Sequence, residues 1–86
     1  MDSDNFTKVL NLVNTNTFQL NDEVIFLGGN IYTNSDDDTI LINIEKQYTA
    51  KVVMKYYRGE HPYKILILND KIVVSGWVDC NSLSTL

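Results

Sequence analysis

Nucleophilic catalysis needs a nucleophile, a base within hydrogen-bond reach and a group that orients the base. The chain offers one histidine, His61, and one cysteine, Cys80, in different segments. His61 precedes Pro62, whose ring biases it toward extended backbone, so it reads as a turn residue hydrogen-bonded to nearby backbone. Cys80 reads as a small apolar side chain near a final turn. A lone cysteine excludes an intramolecular disulfide and a cysteine-based zinc cluster. The acidic stretch Asn34–Asp38 places Asn34, Asp36, Asp38 and Glu45 at positions 1, 3, 5 and 12 of a would-be calcium loop. Thr39 stands where that loop needs Gly for its sharp turn, and no helices flank it. The expectation is therefore a non-enzyme with no cofactor and no metal, and a solvated loop at 34–38.

Aromatic side chains carry the stronger binding signal. Tyr32, Tyr57, Tyr63 and Trp77, together with His61, fall in loops or on strand faces that need not point inward. If Val74, Gly76 and Val78 line a core, period-2 alternation turns Trp77 outward beside Ser75. Aromatic rings give large, stiff contact area with a polar tip, so these five residues form a candidate ligand or partner surface. The alternative for Trp77 is a ring half-buried under a neighbouring loop.

The elements that position these groups must come from one small domain, because 86 residues and 9.9 kDa leave no room for a second core. Seven Lys and Arg against eleven Asp and Glu give a net charge of −4. That balance argues against nucleic acid, since neutralising phosphate with Lys and Arg supplies most non-specific affinity. The charge is uneven: residues 1–45 carry −7 and residues 46–86 carry +3. The longest apolar runs, such as Ile65–Leu68, are far too short to span a membrane. The acidic start, Met1-Asp2-Ser3-Asp4, lacks the basic flank and apolar stretch of a signal peptide, which implies synthesis in the cytoplasm.

Near the N-terminus, Phe6, Val9, Leu10 and Val13 fall at i, i+3, i+4 and i+7, the stripe of a short helix. Residues 1–17 read as an extension that either docks on a partner or folds back over its own domain. From Phe18 onward the pattern is β. Glu23–Leu27 reads as a strand stopped by Gly28-Gly29-Asn30, and Ile40–Ile44 as a second. In Tyr48–Tyr57, the even positions (Tyr48, Ala50, Val52, Met54, Tyr56) form an apolar face and the odd ones a largely polar face. Tyr63–Leu68 and Lys71–Val78 follow, joined by a two-residue hairpin at Asn69-Asp70. Five short strands predict a small closed barrel over residues 18–86, closure removing the exposed edges.

Four segments carry a resemblance: Phe18–Gly28 (FQLNDEVIFLG), Ile31–Asn34 (IYTN), Tyr48–Ile65 (YTAKVVMKYYRGEHPYKI) and Val74–Leu83 (VSGWVDCNSL). In this order and spacing they resemble the SH3-like domains of clostridial and phage cell-wall hydrolases and of phage tail proteins. The resemblance covers about three quarters of the chain and implies a five-stranded SH3-like barrel. The departures are Asn21 for the opening motif's Gly, Lys64 for a second His, Ser75 for a Tyr before Gly-Trp, and a shortened loop at Asn69-Asp70. These alter the exposed surface.

The resemblance implies two classes of function. One is a structural subunit of a phage tail or baseplate, bound to other tail proteins and assembled into a virion or tail-like particle. The other is a module that binds the peptidoglycan of a Gram-positive cell wall. The absence of a catalytic domain and the apolar stripe at Phe6, Val9, Leu10 and Val13 favour the first. A small phage-encoded inhibitor of a host protein is a third class.

Overall fold

In the computed structural model, which describes residues 17–86, the most regular element is the strand Tyr63–Leu68. Its odd positions Tyr63, Ile65 and Ile67 are buried, while Lys64, Leu66 and Leu68 face outward. That is the period-2 alternation of a strand with one face on a core. Around it the chain forms one antiparallel sheet: β1 Glu23–Phe26, β2 Gly29–Tyr32, β3 Ile40–Ile44, β4 Tyr48–Lys55, β5 Tyr63–Leu68, β6 Val73–Val78 and β7 Leu83–Thr85. The order across the sheet is β3-β2-β6-β5-β4-β1-β7, and it curls into a half-barrel.

The mainly β class expected from the sequence is observed, with two corrections. Seven strands replace five. Gly28 and Gly29, expected to stop a strand, adopt φ of +102° and +123° and make the turn from which β2 starts, so the Tyr32 segment is a strand rather than a loop. The second added strand, β7, pairs with β1. Among the described residues the curl also leaves β3 and β7 as edge strands where closure was expected. The helical stripe Phe6, Val9, Leu10 and Val13 lies outside the described residues.

The core gathers Phe18, Val24, Phe26, Ile31, Ile44, Ala50, Val52, Tyr63, Ile65, Ile67, Val78 and Leu83. Each fully buried Val, Ile or Phe among them contributes about 1.5–3 kcal/mol relative to exposure. In β4 the expected alternation holds only through Val52. The register with β5 slips between Val52 and Met54, and this β-bulge leaves Met54 and Tyr56 exposed although both were expected to face inward. The β5–β6 connection is four residues, Asn69–Ile72, because Leu68 pairs with Val73. The Asn69 side chain accepts from the backbone N–H groups of Lys71 and Ile72, at 2.8 and 3.0 Å, and fixes this turn.

Before β1 the chain turns at Gln19–Asp22, where Asn21 has φ +70°. Asn tolerates this left-handed conformation better than most residues. The Asn21 N–H donates to Val52 and the Val52 N–H to Asp22, extending the β1–β4 ladder. After β6, a single 3-10 turn, Cys80–Ser82, leads into β7, with the half-buried free thiol of Cys80 packed against the core.

Candidate functional site

Three connections meet at one end of the sheet: 33–39 between β2 and β3, 56–62 between β4 and β5, and Asp79 just after β6. The loops are self-supporting. Asn34 Oδ1 accepts from the Asp36 N–H, the Asn34 amide donates to Asp37, and Asp37 accepts from the Thr39 N–H at 3.0 Å. Bonds from the Thr39 backbone, then the Asn34 side chain, hold the Asp37 carboxyl below its usual value. The second loop closes through Tyr56 N–H to Pro62 O and Gly59 N–H to Tyr56 O. Gly59 lies so close to Ser35 that an added Cβ would sit 2.7 Å from the Ser35 Cβ, so the two loops touch where only glycine fits.

His61 joins all three connections. It is buried, 4% exposed, a rare state for a titratable side chain. Its backbone N–H donates to the Ser35 carbonyl at 3.1 Å. Nδ1 bonds the Asp79 carboxylate and Nε2 faces the Asp38 carboxylate at 3.2 Å. The ring stacks on Tyr32, with centroids 3.6 Å apart and planes 5° from parallel. Only the imidazolium can donate from both nitrogens at once, so two acceptors select the charged form. Burial pulls the pKa of His61 down, but the hydrogen bond and charge of Asp79, then those of Asp38, outweigh it and leave it raised.

The structure brings together some of the expected surface residues and separates others. Tyr32 and Trp77 are directly opposed across β2 and β6, both half-buried, and Lys64 faces Trp77 from β5. Trp77 thus has the half-buried state of its alternative reading rather than a ring turned fully outward. Tyr57 is 81% exposed on the β4–β5 turn, with the Arg58 guanidinium 5.5 Å from its ring centroid. Tyr63 corrects the expected surface: it is in the core, edge-on to Phe18, with its hydroxyl accepting from the Phe18 N–H. His61 is likewise no free contact residue but the buried centre of the cluster.

Asp38, Ser35, Gly59 and Asp79 complete the cluster, and sequence reasoning gave them no such role. Asp38 had been placed in a calcium-type loop, yet its carboxylate turns to an imidazole 23 positions on. Asp79 had a visible signal, a carboxylate directly after the last apolar strand position Val78. Glu60 stands beside the pair, and ligand atoms of Asp38, Glu60 and His61 lie within 4.8 Å of one another. The imidazolium is the positive member of this group, so it reads as an ion-pair cluster. Cys80 is adjacent in sequence to Asp79, but its sulfur contacts Asn81 at 4.0 Å rather than His61.

No family model matches the chain, and neither the curated proteins nor the solved structures give a match.

Proposed function

We propose that the chain is a non-catalytic SH3-like binding subunit of a phage tail or phage-tail-like baseplate, acting through contacts with other proteins. The observation that carries the reading is β3. Among the described residues, Ile40, Leu41 and Ile42 are 51%, 50% and 38% exposed on an edge strand that contains no charged residue. Such an edge presents unpaired backbone groups and apolar side chains together, the chemistry by which a partner adds a strand or seals an apolar face. The imidazole is occupied on both nitrogens by carboxylates, which fits a supporting rather than a catalytic role.

The SH3-like reading draws support from Asn21. The family carries Gly at this place in its opening motif, and here the backbone has positive φ, a conformation Gly adopts freely and Asn tolerates. The wall-binding alternative rests on the Tyr32–Trp77 pair, a half-buried aromatic platform reduced by the loss of Tyr63 to the core.

Two experiments decide between them. The full chain should appear in tail-like particles purified on density gradients from the organism that encodes it, and Ile42→Lys should abolish its incorporation while circular dichroism stays unchanged. The chain should also fail to co-sediment with Gram-positive sacculi. Retention on sacculi that is lost in Trp77→Ala would replace the tail reading with wall binding.

A further inference from the structure

We propose that His61 is a pH-sensitive latch: its imidazolium ties the β2–β3 loop, the β4–β5 turn and the segment after β6 together, and deprotonation releases them. The argument begins with geometry. The ring is buried, stacked on Tyr32 of β2, and offered a carboxylate at each nitrogen by two separate connections. A neutral imidazole has one N–H, so it can donate to Asp79 or to Asp38 but not to both. In the neutral form one nitrogen lone pair must face a carboxylate, and that contact turns from attractive to repulsive.

The other groups facing the ring act in the same sense. Asp79 approaches from the end of β6 and Asp38 from the β2–β3 loop, where Asp37 also feels the imidazolium charge. Glu60 belongs to the turn that carries His61. Three of these four carboxylates gather around one positive charge that can vanish, and the fourth lies within its field. Tyr32 supplies an aromatic face that favours a cation. Among the described residues, no arginine or lysine is at hydrogen-bond distance from the ring to take over when the proton leaves.

The direction follows from linkage. The His61 pKa is raised in the folded chain, so the stabilisation is fully present below the ordinary value near 6.5. It is lost as pH rises through the folded value. The latch is closed in mild acid and open in base. What opens is the loop end bearing Tyr57 and the Tyr32 ring, while β4, β5 and β6 keep their ladders and core.

The latch does not depend on the particle reading, and its test can fail independently of it. His61 is titrated by NMR in the full chain, and amide-exchange protection factors are measured at several pH values across the titration. The expected result is a His61 pKa above that of the unfolded chain. Protection at His61, Gly59 and Thr39 should fall about tenfold to a hundredfold as it deprotonates, the measure of one charge-assisted hydrogen bond, while Ile65 and Ile67 stay protected. Asp79→Asn should lower the His61 pKa, and His61→Gln should leave the loops loosened at every pH. Unchanged loop protection across the titration, or a His61 pKa at or below that of the unfolded chain, would overturn the latch. If His61→Gln does not fold, Asp79→Asn in the same titration decides.

Discussion

β5 contains Ile65-Leu66-Ile67-Leu68 and β3 contains Ile40-Leu41-Ile42-Asn43-Ile44, nearly the same residues in nearly the same order. Their fates are opposite. Ile65 and Ile67 are wholly buried, whereas Ile40, Leu41 and Ile42 are all exposed and only Ile44 reaches the core. Composition and β propensity cannot account for this, since they are shared. Position does. β5 is flanked by β4 and β6, so its inner face meets side chains from both neighbours. Among the described residues β3 has one neighbour, β2, and a register slip between Ile31 and Tyr32 further breaks its alternation. An apolar strand without a second neighbour has its backbone satisfied on one side only. The comparison teaches that an Ile-Leu run reports a strand but not which strand, and that the surplus apolar surface of the edge is where an interaction should be sought.

The largest effect should come from the centre. Ile65→Ala removes a fully buried side chain and should cost about 2–5 kcal/mol, read as a lowered urea midpoint at unchanged slope. A smaller effect is expected where the two regions meet. An added Cβ at Gly76 would lie 2.4 Å from the Ile31 Cγ2 and 3.0 Å from the Tyr32 carbonyl oxygen. The tip of Leu41 is 3.3 Å away, so β3 itself reaches this glycine. Gly76→Ala should therefore cost about 1–3 kcal/mol through overpacking, again by urea titration. The smallest effect belongs to the edge: Ile40→Thr should change unfolding free energy by no more than about 0.5 kcal/mol. A cost for Ile40→Thr equal to that of Ile65→Ala would erase the contrast and place β3 within the cooperative core.

Much of the sheet was legible. The spans of β3 and β5 followed from β-branched and aromatic runs, and β4 was read two residues too long, while the buried positions of β5 came only from the structure. Legibility failed where a single residue redirects the chain. At Val53 a bulge ends the inward-outward alternation of β4, and no local pattern distinguishes that residue from its neighbours. β2 hid because paired glycines look like a stop whether the chain then leaves the sheet or turns back into it. Tyr63 illustrates another limit. A tyrosine beginning an apolar strand can face either way, and here a core hydrogen bond to the Phe18 N–H decides.

The cluster around His61 was the least legible part. Its charged members come from residues 38, 60, 61 and 79, and only the folded sheet brings their loops to one end. The types were visible: one histidine, an acidic loop and an aspartate after the last long strand. Their convergence was not, because it depends on sheet order rather than on spacing. The aromatic surface was legible in part, with Tyr32 and Trp77 adjacent and Tyr57 exposed.

Cys80 has a practical consequence. It is the sole thiol of the chain, half-buried against the core and next in sequence to Asp79. A maleimide dye can couple to one thiol only, and its coupling rate reports how accessible the 3-10 turn leaves that sulfur. The chain thus carries its own single-site reporter, ready for fluorescence without engineering a cysteine.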